Sequence, residues 1–267
     1  MSIPRDILRD NIQLSDWSIL TAYRGSIVHG TYLGTKDLHS TDDKDAMVIC
    51  VPPMDYYLGF QTHGLGKKGV KEIFKGQWDI VCYEARKAIS LLEKGNPNIL
   101  MILWLRENDY IKIAPAGQLL LDNRTLFDGK HVYKSFVGYA RGQLHKMTHG
   151  VKEGYMGAKR KALFERYGYD VKNASHLIRL LRMALEYLTT GEMNVFRQDA
   201  SELIDIKSGK WSLKEVEEES KRLFDLTDKA LIKSILPPRP NHDSISRLCM
   251  KIIEMTQGDR EWDGQTS

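Results

Sequence analysis

The sequence predicts an α+β protein, with a small mixed sheet in the first half and an all-helical second half. Three observations carry that expectation. Short apolar runs at 19–23, 44–52 and 78–83 end in Gly, Pro or charged residues, as buried strands do. From about residue 130 the strand signal fades and apolar residues recur at helical spacing. The chain has 267 residues, 42% hydrophobic and 28% charged, which suits a globular protein able to bury a core and hold two domains.

Taken in order, residues 3–14 read as a short amphipathic helix and ILTAY (19–23) as a strand stopped by Gly25. SIVHGTYL (26–33) reads as a helix opened by Ser26, a good N-cap. Residues 34–43 read as loop, and KDAMVICVP (44–52) as a buried strand closed by Pro52-Pro53. The glycine-rich stretch 59–69 reads as a mobile loop, a candidate lid. WDIVCY (78–83) is the third strand, and Ala85, Ala88, Ile89 and Leu92 mark a helix over 84–94. Lys94-Gly95-Asn96-Pro97 stops it and starts another helix over 98–106. Further helices are expected over 130–150, 155–167, 171–190, 212–234 and 242–257, divided by Gly191 and Pro237-Pro238-Arg239-Pro240. The expected domains are 1–128 and 129–257, with a polar tail over 258–267.

Several classes drop out. No apolar run approaches the roughly 20 residues that span a bilayer, and the charged N-terminus lacks a signal peptide's apolar core, so a cytoplasmic location is expected. Cys50, Cys82 and Cys249 are too few and too widely spaced for a disulfide framework or zinc knuckle. The net charge is only +4, but Lys130–Arg182 holds 12 Lys+Arg against 3 Asp+Glu. That segment suits an anionic partner, nucleotide phosphates or RNA, or else a solvated basic surface.

The chemistry concentrates in Gly25-Ser26 and Asp43-x-Asp45. Residues i and i+2 of a strand share a face, so both carboxylates can reach one site. Paired hard oxygen ligands suit Mg²⁺ or Mn²⁺. Asp79, at the mouth of the third strand, is favoured as a third carboxylate over Glu84, which better starts the next helix. A Gly-Ser turn offers backbone N–H groups and a hydroxyl to phosphate oxygens.

The order Gly-Ser, Asp-x-Asp, Asp resembles the DNA polymerase β-type nucleotidyltransferase superfamily. The local text resembles its branch of predicted nucleotidyltransferases associated with RNA repair. GSIVHG (25–30), DDKDAMVICVPP (42–53), the 79–97 stretch ending KGNP, the 157–191 stretch containing YDVKNASHLIRLLR, and LIDIKSGKWSLKEV (203–216) carry the resemblance. It implies a polymerase β-like fold in which Gly25 and Ser26 hold the nucleoside triphosphate (NTP), Asp43 and Asp45 bind metals, and Asp79 is the third carboxylate. The 34–42 loop is longer than the resemblance implies, and Asp42 stands where a serine is usual.

On a helix over 171–190, Lys172, His176 and Arg179 share the single polar stripe of an otherwise apolar surface. Buried there, they need partners: phosphates across a cleft, or an internal ion-pair network. The resemblance favours phosphates. Arg141, His145 and His149 share another face, and Lys159-Arg160-Lys161 is a basic cluster; both fit a solvated surface as well as a cleft. GLGKKG (64–69) matches a dinucleotide fingerprint but lacks the flanking strand and helix. The aromatics are scattered along the chain and suggest no base-stacking platform. The expected activity is metal-dependent transfer of a nucleoside monophosphate to an acceptor hydroxyl, with RNA favoured by the basic segment. The alternatives are a protein-modifying adenylyltransferase and an inactive nucleotide- or RNA-binding module.

Overall fold

The computed structural model describes residues 3–34, 43–149 and 158–258. Most of the 34–42 loop, Asp42, the side chains of His149, Lys159 and Arg160, and the 259–267 tail lie outside the described residues.

The N-terminal helix is broken in two, α1 (Arg5–Arg9) and α2 (Ile12–Ser15), because Asn11 between them is extended. They bury Ile7 and Leu14 and lead into β1 (Ser18–Tyr23), buried throughout. No helix follows. Residues 25–30 form successive turns that end at Gly30, whose φ of 72° lies in the left-handed region. Next come β2 (Lys44–Cys50), the short α3 (Met54–Leu58), β3 (Val70–Lys75) and β4 (Trp78–Glu84). The 59–69 stretch is not a free lid. Leu65 within it is fully buried, and Gln13 Nε2 donates to the His63 carbonyl.

α4 (Ala85–Glu93) starts as expected at Glu84, whose two carboxylate oxygens accept from the Arg86 N–H at 2.7 Å and the Lys87 N–H at 3.1 Å. A carboxylate there complements the helix dipole by about 0.3–1 kcal/mol. The expected 98–106 helix is shorter: α5 (Pro97–Leu100) tightens into a 3-10 turn over Met101–Trp104. Then β5 (Tyr110–Ile113) and α6 (Pro115–Asp122) complete the first half.

The sheet order is β3-β4-β2-β1-β5. β2 and β4 run parallel and every other pair is antiparallel, so the sheet is mixed. The crossover between β2 and β4 carries α3 and the edge hairpin partner β3. Gly76 and Gln77 close the β3–β4 hairpin; φ is 63° at Gly76, the first of the two turn positions, where a two-residue hairpin favours glycine.

The second half is helical: α7 (Val132–His149), α8 (Ala158–Tyr167), α9 (Val171–Thr190), α10 (Ala200–Lys207), α11 (Leu213–Lys233) and α12 (His242–Gly258). α9 sits at the centre, packed against α7, α10 and α11, and buries Leu177, Ile178, Leu181, Ala184 and Leu188. Each such leucine contributes roughly 1.5–3 kcal/mol of burial. Asp170 caps α9 by accepting from the Lys172 and Asn173 N–H groups, and Ser212 with Glu215 forms a reciprocal capping box on α11. α12 returns to the first half and packs on α4 and α6. No helix among the described residues is long and apolar enough to cross a membrane.

Candidate active site

The parallel register of β2 and β4 pairs Asp45 with Asp79. Registered residues project from the same face, so the two carboxylates share the mouth of the sheet. Glu84 is five residues beyond Asp79 on the same strand and therefore faces the other side, where it caps α4. Asp43 precedes β2 and is exposed. It bears on the Asp45 carboxyl electrostatically. However, among the described residues no three His, Cys, Asp or Glu side chains gather closely enough to form a metal cage. The structure thus brings Asp45 and Asp79 together and leaves Asp43 at the rim.

Burial raises the Asp45 carboxyl to about 6, and the charges of Asp79 and Asp43 push the same way against Arg24 and Lys172. Arg24 bridges to Asp79 with N···O at 3.2 Å. Its backbone N–H donates to the Asp45 carbonyl at 3.0 Å, locking the end of β1 beside β2. Gly25 follows with φ 65°, and a Cβ there would collide with the Asp45 carboxylate. Glycine is therefore required at this point, both for its backbone and for the space it leaves. A pair of mutually repelling, partly buried carboxylates under a bare backbone turn fits a hard divalent cation. Asp45 and Asp79 would hold it, with Asp43 in reserve at the rim.

On the other side of the turn, Ser26, His29 and Thr31 meet α9 and α10. With Lys172, Ser175, His176, Arg179 and Lys207 they line a narrow cavity of about 10 Å³, room for roughly one water. The expected trio Lys172, His176 and Arg179 therefore stands together beside Ser26. The cavity wall holds three cationic residues and no carboxylate. Arg179 is buried, and among the described residues its guanidinium has hydrogen-bond contacts only with the thioethers of Met101 and Met183, at 3.6 and 3.4 Å. Burial, reinforced by Arg197, lowers it to about 9. His176 is pushed well below its ordinary value by burial, then by Arg179, Lys172, His29 and Lys207. His29 behaves likewise, through burial, Arg179 and Arg197. Its Nδ1 lies 3.0 Å from the Val195 carbonyl and so carries the proton, while the buried Nε2 has no hydrogen-bond partner among the described residues.

An internal ion-pair network does exist, but around different arginines. Arg182 contacts Asp199, Glu202 and Glu219 at 2.8, 2.6 and 3.2 Å. Arg197 contacts Glu186 at 2.7 Å and Asp199 at 2.8 Å. Arg24, His29, Thr31, Ser175 and Lys207 join the site without having stood out in the sequence. Arg24 and His29 flank or sit inside the Gly-Ser stretch, and Lys207 lies in the 203–216 stretch, so their neighbourhoods carry the signal even though their roles do not.

The family model of the RNA repair pathway DNA polymerase beta family, RlaP, matches residues 18–222. The chain belongs to this family. The matched span runs from the first residue of β1 into α11 and takes in the carboxylate pair, the Gly25 turn and every residue of the cavity lining. RlaP membership makes the chain a polymerase β-like nucleotidyltransferase of RNA repair. No curated protein and no solved structure matches it.

Proposed function

We propose that this RlaP protein transfers a nucleoside monophosphate from an NTP to a hydroxyl of an RNA acceptor, with Mg²⁺ or Mn²⁺ bound at Asp45 and Asp79. The observation that supports this best is the Asp45–Asp79 pair in register beside the Gly25 turn, with a cation-lined cavity on the turn's other side. When bound, divalent cations supply Lewis-acid stabilisation of the phosphoryl oxygens and lower the pKa of the attacking hydroxyl.

The protein's own residues do the rest. The Gly25 turn lets the phosphates approach the backbone, and the Ser26 hydroxyl donates to them. Lys172 and Arg179, beside Ser26, offset the negative charge of the departing pyrophosphate in this reading. The acceptor oxygen forms a bond to the α-phosphorus as the bond from that phosphorus to the bridging oxygen breaks. A carboxylate of the pair takes the hydroxyl proton in this reading. Arg24 lies where it holds Asp79 until the substrate arrives.

The test offers each α-phosphate-labelled NTP with Mg²⁺ or Mn²⁺ to RNA, protein and small-molecule pools, with the Asp43→Asn/Asp45→Asn variant alongside. Label in RNA that requires the metal and disappears in the variant is expected. Label in protein alone would replace the RNA acceptor with a protein-modifying activity. No label anywhere, with NTP binding indifferent to metal, would reduce the chain to a binding module.

A further inference from the structure

β3 is an edge strand, and Phe74 on it is 71% exposed. The antiparallel register pairs Phe74 with Asp79, which the parallel register pairs with Asp45. The three residues therefore form one row across β3, β4 and β2, on one face of the sheet. Neighbouring strands are about 4.8 Å apart, so the Phe74 backbone lies one strand spacing from that of Asp79 and two from that of Asp45. Met47 and Val81, one row along the same face, are buried in the core, whereas Phe74 stays bare.

We propose that Phe74 is the stacking platform for the terminal nucleobase of the RNA acceptor, holding its ribose hydroxyl over the Asp79–Asp45 pair. This rests on the reading of the chain as an RNA nucleotidyltransferase and names the acceptor subsite within it. Stacking on a single ring tolerates any base, since every base has a π-face. The row sets the order of the pieces: base on β3, reacting hydroxyl over β4 and β2, triphosphate beyond at the Gly25 turn. It also sets the direction of the strand. Glu72 is exposed two residues back on the same face and repels phosphates. At Gly76, on the other side of Phe74, an added Cβ would meet no atom within 4 Å. The RNA backbone leaves over that open turn.

The experiment uses the full chain with an RNA oligonucleotide ending in 2-aminopurine, and compares wild type, Phe74→Ala and Phe74→Trp. Stacking should quench the fluorophore in wild type and in Phe74→Trp and leave it bright in Phe74→Ala. At saturating NTP, Phe74→Ala should raise the KM for RNA by at least about fivefold, the scale of one lost base–aromatic stack, with the Kd for NTP unchanged. Phe74→Trp should restore the KM. An unchanged RNA KM in Phe74→Ala, or no quenching in wild type, overturns the proposal. If Phe74 instead covers a second copy of the chain, wild type sediments as a dimer and Phe74→Ala as a monomer, which also overturns it. Failure of the transferase reading looks different: wild type then labels no RNA at all.

Discussion

The two sides of the Gly25-Ser26 turn, a carboxylate wall on β2 and β4 and a cationic wall on α9, carry opposite charges. On the β2–β4 wall, burial pushes Asp45 up to about 6 against the opposing charge of Arg24. On the α9 wall, burial and neighbouring cations push Arg179 down to about 9 and hold His29 and His176 neutral. Arg24 offsets part of the charge on the first wall, whereas the cavity lining of the second holds no carboxylate. Three residues further along α9, Arg182 has three carboxylate partners and its pKa is raised despite burial. The helix can therefore satisfy an arginine where structure is all that is needed. The difference between Arg179 and Arg182 is that the first faces the cavity beside Ser26. The metal–NTP complex of the proposed function would place cations at the carboxylate wall and phosphates at the cationic one.

The largest break in this comparison comes from Asp45→Asn. Loss of a metal-stabilised transition state worth several kcal/mol corresponds to about a thousandfold loss of transfer or more. Stability should move the other way. The folded pKa of Asp45 is raised above its unfolded value of 3.8, so its ionisation opposes folding as pH rises through the window from 3.8 to about 6. Without metal at pH 8, urea unfolding should show the variant more stable by about 1–3 kcal/mol, a gain that vanishes below pH 4. Added Mg²⁺ should stabilise wild type and not the variant. A variant that is less stable at pH 8 would mean that Asp45 is a structural partner of Arg24 rather than half of a strained pair.

The next contrast sharpens the cationic wall. Arg179→Met keeps an unbranched chain against Met101 and Met183 and removes a self-repelled charge. It should raise the Kd for NTP by about 10- to 100-fold, the worth of one or two charged hydrogen bonds, with stability held within about 1 kcal/mol. Arg182→Met should do the reverse: it leaves Asp199 to Arg197 alone, Glu219 to Arg222 alone and the half-exposed Glu202 without its arginine, and should cost about 1–3 kcal/mol of stability with NTP affinity unchanged. Isothermal titration and urea unfolding on both variants check the pair. Equal effects on affinity would erase the distinction between the two arginines.

How much of this can be read from residues alone follows the range of the interactions. α7, α8, α9, α11 and α12 fall within a few residues of their expected bounds, and the reason is plainest for α9 and α11, which are long, amphipathic and capped by Asp170 and by Ser212 with Glu215. α3, β3, β5, α6 and α10 are absent from the sequence reading. VKEIFK and YIKI are short edge strands with no clean alternation, and most of their residues stay part-exposed or exposed, so the period-2 signal is weak. SIVHGTYL has the spacing and the N-cap of a helix, yet Gly30 adopts the left-handed conformation and only turns form. In the site, the Asp-x-Asp spacing is local and readable. The Asp45–Asp79 pairing needs the parallel register, and Lys207 reaches the Thr31 carbonyl across 176 positions of sequence, which no local pattern encodes. Phe74 is one scattered aromatic until its strand is found.

The smallest effect separates the walls by the sign of their pH dependence. His29 and His176 have folded pKa values below the unfolded 6.5, so the unfolded chain binds the extra protons. Their stabilising contribution is complete above pH 6.5 and falls as pH drops below it, by up to about 1.4 kcal/mol per pH unit for each histidine. Asp45 runs against this between pH 6 and 3.8, so the net slope of the whole protein is blunted and the histidine term is best isolated by difference. His176→Gln, compared with wild type in metal-free urea unfolding, should lose less stability between pH 6.5 and 5. Bound triphosphate should oppose the second cause, the neighbouring cations, while burial remains. Phosphate charge offsets Arg179 and Lys172 and lets the imidazoles protonate, so NTP binding takes up protons below pH 6.5, and His176→Gln should take up fewer. Titration in two buffers of different ionisation enthalpy measures that uptake directly. Proton release on binding would place the phosphates away from the histidines and detach the cavity from the triphosphate.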